Sequence, residues 1–441
     1  MFDPMAGMRG RVGQGVASGL LALGLAACGP GGGSGGGDGD GGSGSDATSS
    51  PTSAVDTSVT ATGADATGSA TGADVDCDPA GDMVLTPVWD FETSAATTGG
   101  DAAGAFALEP GGDIYVAGTT GSGDLEDSIW LRRLTTDGAE VWASMDVAPP
   151  QSLVEVVTVA PGGSVFTAGS TFINDPSYGL TSALFVGAYD LDGQLQWTDD
   201  TPTDPPNPFT QASAATVTPE GDLVIGGNAG SGGGYLRRYD AAGNVVWTVP
   251  TIASVAALAG GADGALFVAT VAGIGSSLER WDDAGTMVWS VPGPGQTDAN
   301  YFGSRATAVA VTSDGGPVFV GTIDYLVGSP KMPTDSWTTL FVRRLDPGGV
   351  ETWTSIFDHV GYSQMSLAVH PDDRVTVANR EMDESTLVRR LDAAGTLQWT
   401  DTLPCPGGAW RVAPIDSDLL VSGTLPTPMQ STAAFVGRFA G

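Results

Sequence analysis

From residue 81 to the C-terminus, apolar residues alternate with small or polar ones in short runs, and turns rich in Gly, Pro and Asp separate the runs. Such alternation is typical of short β-strands. The runs recur in groups of four. The first run of a group is small and Ala-rich, as in residues 306–311, and the third is rich in Val and Leu, as in 340–345. The pattern predicts an all-β chain built from a four-stranded repeat.

Tryptophan marks the end of each predicted fourth strand. A glycine stands four residues before each of the last six of these tryptophans, and in most units an Asp stands three residues before that glycine. An Asp-x-x-Gly turn between two apolar runs predicts a hairpin in which glycine takes the positive φ. We expect each indole to wedge between neighbouring sheets and to bury a large apolar area. The predicted blade-docking residues are Trp89, Trp142, Trp197, Trp247, Trp289, Trp353 and Trp399.

The two ends of the repeat complement each other. Three further strands follow Trp399, around residues 410–415, 419–423 and 434–439, and the missing fourth strand is available at residues 84–89. Six whole units and one split unit predict a seven-bladed β-propeller of four-stranded antiparallel blades over residues 81–441. We expect the N-terminal strand to complete the last blade, because closure removes exposed sheet edges.

The Asp-x-x-Gly-x-x-x-Trp hairpin after a Val/Leu-rich strand resembles the tryptophan-docking repeat of quinoprotein (PQQ-like) propellers. It is also similar to the seven-bladed repeats of secreted and lipid-anchored bacterial proteins. The resemblance covers residues 81–441, although the turn is one residue shorter than in the quinoprotein repeat. Quinoprotein dehydrogenases hold calcium and the quinone with a carboxylate, an amide and a catalytic Asp, often beneath adjacent cysteines. No two Cys are adjacent in this sequence and no such cluster recurs. The resemblance therefore implies the fold, and its lipid-anchored scaffold member in outer-membrane protein assembly is a non-enzymatic precedent.

The N-terminus reads as an export signal. Arg9 and Arg11 precede an apolar run over residues 16–27, which is too short to span a bilayer. Residues 25–28, Leu-Ala-Ala-Cys, resemble the lipobox of bacterial lipoproteins, so residues 1–27 are interpreted as a lipoprotein signal peptide and Cys28 as the lipidated residue. Ordinary cleavage near Ala27 with a free Cys28 is the alternative. The expected location is extracytoplasmic, anchored by lipid to the outer membrane, and either periplasmic or surface-exposed.

Residues 28–80 are Gly, Ser, Thr, Ala and Asp with almost no large apolar residue, so they cannot bury enough surface to fold. We interpret them as a disordered acidic tether between the anchor and the propeller. The whole chain has 51 acidic and 17 basic residues and a net charge of −34, which makes nucleic acid an unsuitable partner.

Candidate catalytic and metal-binding chemistry is sparse. Two His and three scattered Cys are too few for a zinc or iron–sulfur site. His359 and His370 lack a nucleophile motif beside them, and we expect ordinary polar contacts. Cys77 and Cys405 are the remaining thiols, and the expected compartment is oxidising. The sequence allows either a disulfide between them or two free thiols. No cofactor is expected. The acidic loops leave a calcium site as an alternative, although the sequence contains no Asp-x-Asp-x-Asp-Gly spacing of the kind found in calcium-binding loops.

Adjacent arginines recur in the third strands of several blades. One interpretation is a basic ring that grips an anion. The other, which we favour, is a repeated structural role in which each Arg bonds to the nearby turn Asp or to backbone carbonyls. The residues are Arg132, Arg133, Arg237, Arg238, Arg280, Arg343, Arg344, Arg389, Arg390 and Arg438.

Long loops between strands two and three and between blades carry aromatic residues, which suit contacts with a protein or a glycan. The expected ligand-face residues are Tyr178, Tyr301, Phe302, Tyr325, Lys331 and Trp337. The function predicted from the sequence is a monomeric, non-enzymatic lipoprotein that binds an envelope or surface protein or polysaccharide. The alternative is a propeller enzyme, a lyase or hydrolase, that uses carboxylates in the central channel or in the loops.

Overall fold

The structure is a computed structural model, and it describes residues 86–92, 101–109, 112–120, 128–145, 152–175, 179–199, 210–230, 233–295, 300–329, 332–358, 365–381, 385–403, 408–426 and 432–440. All regular elements in these residues are strands, which form seven four-stranded sheets. The predicted signal peptide, tether and lipidated cysteine lie outside the described residues, as do Cys77 and Cys405.

Each sheet is one blade, numbered in chain order and named from its inner to its outer strand. Blades 1 to 3 comprise β2 (Asp101–Leu108), β3 (Ile114–Thr120), β4 (Ser128–Leu134) and β5 (Glu140–Met145); β6 (Ser152–Val159), β7 (Val165–Asp175), β8 (Gly179–Tyr189) and β9 (Leu195–Asp199); and β10 (Thr210–Val217), β11 (Leu223–Ala229), β12 (Gly233–Tyr239) and β13 (Val245–Thr251).

Blades 4 to 6 comprise β14 (Ser254–Gly260), β15 (Leu266–Ala272), β16 (Gly275–Trp281) and β17 (Met287–Pro292); β18 (Tyr301–Val311), β19 (Pro317–Ser329), β20 (Met332–Leu345) and β21 (Glu351–Asp358); and β22 (Met365–Val369), β23 (Val375–Arg380), β24 (Thr386–Leu391) and β25 (Leu397–Thr402). Blade 7 comprises β26 (Gly408–Ile415), β27 (Asp418–Pro426), β28 (Thr432–Ala440) and β1 (Thr86–Glu92).

All neighbouring strands within a blade are antiparallel, and the strand order follows the chain in blades 1 to 6. The inner strand of each blade contacts the inner strand of the next, and β2 contacts β26, β27 and β28, so the blades form a ring. The structure confirms the all-β, seven-bladed propeller of four-stranded antiparallel blades. In blade 7, β1 pairs with β28, with Trp89 opposite Arg438. Because residues 1–85 and 93–100 lie outside the described part, closure by the N-terminal strand stays a prediction.

The hydrophobic core lies between blades rather than within them. Val186 of blade 2 and Ile225 of blade 3, both fully buried, belong to one cluster, and similar clusters join other neighbouring blades. The Ala-rich inner strands suit the narrow centre of the ring, because small side chains let seven strands approach one axis. Each inner strand except β22 also contains a register shift at the same place, as between Val154 and Val156. Such bulges increase local twist and redirect side chains.

The repeated tryptophans lie in the outer strands, Trp89 in β1 and the other six in β5, β9, β13, β17, β21 and β25. For five of them the indole N–H donates to a backbone carbonyl in the turn between the third and fourth strands of the next blade. The accepting residue directly follows the turn Asp. The pairs are Trp142 to Leu191 (2.8 Å), Trp197 to Ala241 (3.2 Å), Trp247 to Asp283 (3.1 Å), Trp289 to Pro347 (3.2 Å) and Trp353 to Ala393 (3.0 Å).

The turn glycine is needed at these junctions for two reasons. Gly395 has a φ of 80°, a region that other residues rarely adopt. A Cβ on Gly395 would also lie 2.5 Å from the ring of Trp353. The Asp-x-x-Gly-x-x-x-Trp pattern therefore encodes two contacts of each blade. Its turn accepts the indole of the preceding blade, and its own Trp packs on the turn of the following blade.

The second arginine of the pairs reinforces four of these junctions. Arg344 pairs with Asp314 of its own blade at 2.8 Å and donates to the carbonyl of Ala393, which also accepts the indole of Trp353. The same arrangement is found at Arg133 and Arg238, and at Arg280, which occupies the same position after Glu279; their shared carbonyls belong to Leu191, Asp283 and Pro347. The predicted bonds to backbone carbonyls are confirmed at these four arginines. The carboxylate of their own blade that each one binds lies in the turn between the first and second strands, however, and not in the Asp-x-x-Gly turn that we expected.

Candidate functional site

The strands of blade 5 extend well beyond those of most other blades. β19 and β20 contain 13 and 14 residues, whereas β11 and β12 contain seven each. The extension lies on the face where the inner strands begin, which also carries the segments between blades; we call it the loop face. Backbone pairing along the hairpin from Val318 to Ser329 holds its shape. Blade 2 has a similar hairpin formed by β7 and β8, each of 11 residues.

Three of the predicted ligand-face residues stand side by side on blade 5. Tyr301 is opposite Tyr325 in the β18–β19 pair, and Tyr325 is opposite Trp337 in the β19–β20 pair. The rings of Tyr325 and Trp337 are stacked, with centroids 5.2 Å apart and planes 14° apart. We call these three residues the aromatic row. Sequence analysis selected them individually, and the strand register brings them together.

Exposed apolar side chains occur in the row and close to it. Phe302 and Trp337 are each 40% exposed, and Ile274, in the turn between β15 and β16 of blade 4, is 61% exposed. The Tyr301 hydroxyl donates to the Ile274 carbonyl at 3.3 Å, which places Ile274 beside the row. Ile274 was missed from the sequence because a lone Ile in a short turn carries no repeat signal. Tyr178 and Lys331, the other predicted ligand-face residues, lie outside the described residues.

A second candidate site lies at the centre of the ring. A cavity of about 220 Å³ is lined by residues from all seven inner strands. Most of the lining is apolar and small, as at Ala105, Ala214, Ala257 and Ala308. Arg411 of β26 is the one charged residue among the lining residues in the described part of the chain.

Arg411 reaches from blade 7 to blade 2. Its Nη2 donates to the backbone carbonyl of Glu155 at 3.1 Å. Burial lowers the pKa of Arg411, and the charge of Glu155 opposes that shift. Burial raises the pKa of the Glu155 carboxyl, and the Arg411 charge opposes that shift in turn. Neither residue was selected from the sequence, although a charge within an otherwise small and apolar inner strand was a usable signal.

The histidine in the described part of the chain, His370, makes a polar contact inside the protein. His370 is buried, and its Nε2 lies 2.9 Å from the Thr376 hydroxyl. Burial, reinforced by the charges of Arg390 and Arg374, lowers the pKa of His370 to about 4, so the ring is neutral near pH 7. His359 lies outside the described residues. No three His, Cys, Asp or Glu side chains of the described ranges come together as a metal site.

Within the described ranges there is no helix that combines the length and hydrophobicity needed to cross a bilayer.

Comparison with known proteins identifies the class by fold. The sequence matches no protein-family model and no curated protein. Among solved structures, virginiamycin B lyase from Staphylococcus aureus is similar with a TM-score of 0.50 and 11% identity, over 80% of this chain and 98% of that one. The WD40 domain of Toxoplasma gondii coronin is similar with a TM-score of 0.51 and 14% identity, over 81% of this chain and 89% of that one.

The class is therefore the β-propeller. One of these two neighbours is named as a lyase and the other is a WD40 domain. At such low identity the likeness concerns the fold alone, which does not distinguish a catalyst from a binding module.

Proposed function

We propose that this protein is a lipid-anchored, extracytoplasmic binding module whose propeller binds a protein or polysaccharide of the cell envelope or surface. The observation that carries the proposal is the aromatic row on the loop face of blade 5, together with the exposed Phe302 and Ile274 beside it.

The geometry of the row suits recognition. Trp and Tyr supply a large contact area with only two side-chain torsions to fix, so ordering them on binding costs little entropy. The stack with Tyr325 already restrains the half-exposed ring of Trp337. A flat, restrained aromatic surface packs against the apolar face of a sugar ring or an apolar side chain of a protein. The paired strands beneath it provide the rigid mounting that binding loops need.

Anchoring at the envelope is inferred from the N-terminal sequence. The basic residues, the apolar run and the Leu-Ala-Ala-Cys motif support export and lipidation at Cys28, and the acidic segment 28–80 supports a tether. Labelling of expressing cells with a clickable fatty acid tests this part. We expect label on the wild-type chain and none on Cys28→Ser; equal labelling of both would contradict lipidation at this residue.

Binding is tested by a glycan array and by pull-down from an envelope extract with the purified chain. We expect Trp337→Ala to lower affinity for whichever partner is found by about tenfold or more, since exposed aromatic residues dominate binding energy at interfaces. Leu195→Ala is the matched control, because Leu195 is 58% exposed on an outer strand away from the row. Equal affinities of the two variants would contradict the proposed binding surface.

An enzyme is the second candidate, and one observation favours it. The raised pKa of Glu155, on the inner strand β6, is the kind of shift that general acids show. Glu155 is, however, the one carboxylate among the described side chains of the inner strands. A mechanism that uses two carboxylates would therefore need another acid from outside those side chains. Mass spectrometry of glycans incubated with wild type and Glu155→Gln separates the two functions: cleavage by wild type alone would favour the enzyme.

A further inference from the structure

The central cavity is lined mostly by small residues and contains, among the described side chains, a single guanidinium, that of Arg411. Its seven contributing strands supply mainly Ala, Val and Leu side chains, with hydroxyl groups from Ser213 and Ser366. Both hydroxyl oxygens already bond to the backbone of a neighbouring blade, Ser213 to Val255 and Ser366 to Val412. Arg411 is thus the strongest hydrogen-bond donor that the described lining offers to a guest.

The guanidinium of Arg411 is only partly satisfied by the protein. An arginine side chain has five N–H donors, and one nitrogen of Arg411 donates to the carbonyl of Glu155. No ion pair between Arg411 and a carboxylate is formed in the described part of the chain. Arg411 is partly exposed, so its remaining N–H groups are open to an acceptor that enters the cavity. The Glu155 carboxylate is near enough to affect the pKa of Arg411 but makes no hydrogen bond to it among the described contacts.

We propose that the central cavity binds a small monocarboxylate, its carboxylate on the Arg411 guanidinium and its body among the small residues of the seven inner strands. Arginine presents a planar pair of donors that matches a carboxylate. A cavity of about 150 Å³ in another protein holds benzene, so about 220 Å³ is large enough for benzoate or a short aliphatic acid.

The charges near the cavity select for a single negative charge. The chain carries a net charge of −34, and Glu155 stands beside the guanidinium, so a doubly charged phosphate would meet stronger repulsion than a monocarboxylate. A cationic guest would meet the positive charge of Arg411 at close range.

Equilibrium dialysis of the intact protein with benzoate, and separately with its neutral isostere benzamide, tests the proposal. We expect saturable binding of one benzoate per chain, with benzamide at least about tenfold weaker, because the charge-assisted bonds to Arg411 require the anion. Equal binding of the two probes would overturn the proposal. So would the absence of saturable benzoate binding up to about 20 mM, the range in which a ligand of this size is measurable.

Two variants of the site should move benzoate affinity in opposite directions. Arg411→Gln removes the cation and should weaken benzoate by about tenfold or more. Glu155→Gln keeps the backbone carbonyl that Arg411 contacts but removes the repelling charge, and should tighten benzoate by about two- to fivefold. Unchanged benzoate affinity in a folded Arg411→Gln variant would overturn the proposal. If Arg411→Gln does not fold, a weakened or unchanged benzoate affinity in Glu155→Gln would overturn the proposal instead.

Trp337→Ala should leave benzoate binding unchanged, because the aromatic row lies outside the cavity lining. That control makes a failure of this site distinguishable from a failure of the proposed surface on the loop face.

Discussion

Gly395→Ala tests the junction that joins one blade to the next. Gly395 is buried in the turn between β24 and β25, with a φ of 80°, and an added Cβ would lie 2.5 and 2.6 Å from two ring atoms of Trp353. Those distances are too short for carbon contacts, so either the indole or the turn must move. The indole N–H bond to Ala393, 3.0 Å long, depends on the same alignment.

Gly315→Ala is a matched control within the same ring. Gly315 has a φ of 81°, almost identical to that of Gly395, but its added Cβ would meet only Pro347 at 3.9 Å, an ordinary contact. A left-handed Ala costs about 1–2 kcal/mol, and the lower entropy of the unfolded chain offsets about 0.5 kcal/mol of that cost. We expect Gly315→Ala to lower the free energy of unfolding by about 1 kcal/mol.

The clash with Trp353 adds to that backbone cost in Gly395→Ala. Overpacking typically costs about 1–3 kcal/mol, and a displaced indole loses about 1 kcal/mol of hydrogen bonding. We therefore expect Gly395→Ala to be less stable than Gly315→Ala by about 2 kcal/mol. Urea unfolding followed by tryptophan fluorescence measures the difference, provided that the denaturant slopes of the two variants agree.

The decisive comparison repeats both changes in a Trp353→Leu background. With the indole gone, Gly395→Ala and Gly315→Ala should cost the same, because only the backbone term remains. Equal costs in the wild-type background, or an excess cost at Gly395 that persists without Trp353, would refute the argument that the glycine makes room for the ring.

Three further predictions concern stability. Arg344→Ala should lower the free energy of unfolding by about 1–3 kcal/mol, because it removes bonds to Asp314 and to the Ala393 carbonyl; Arg374→Ala, whose ion pair with Asp372 is exposed, should cost less than about 1 kcal/mol by the same urea measurement. The pKa of His370 is lowered to about 4 in the folded state against 6.5 unfolded, so its neutral ring contributes stability that is complete above about pH 6.5 and is lost as the pH falls towards 4. The loss is at most about 3 kcal/mol before solvent screening reduces it, and unfolding from pH 7 to 4 should be less pH-dependent in His370→Leu; identical profiles would exclude the histidine as the cause. Finally, a chain that starts at residue 101 should melt lower and associate more than one that starts at residue 81, since loss of β1 leaves the edge of β28 unpaired; equal melting and equal size in solution would show that β1 does not complete the ring.

The fold was predictable because each blade repeats the same local chemistry. The turn Asp, the glycine with positive φ and the Trp recur at fixed spacing. The hairpin that they encode is short, so residues that are close in the sequence are also close in space. Gly395 and Trp399 belong to one hairpin in the sequence. The partner of Gly395 in space is Trp353 of the preceding blade, and that contact follows only once the blades are placed in a ring.

The candidate sites were predictable to different degrees. The aromatic row was anticipated as separate residues, because large aromatic residues in long loops draw attention, but its alignment depends on the register of β18, β19 and β20. The meeting of Arg411 with Glu155 was not anticipated. These residues lie in strands of blades 7 and 2, and their contact depends on the ring bringing distant parts of the chain to one axis.

The junctions between blades all point the same way along the chain, and this direction leaves one of them incomplete. Five indoles bond to the hairpin turn between the third and fourth strands of the next blade, but in blade 7 those strands are β28 and β1, which are not consecutive in the chain, and within the described ranges the indole of Trp399 makes no such bond. Trp399 instead has the guanidinium of Arg390 over its ring, 4.9 Å from the centroid. We therefore expect the boundary between blades 6 and 7, held by apolar packing without this bond, to open under heat or mechanical load more readily than the five boundaries that have it.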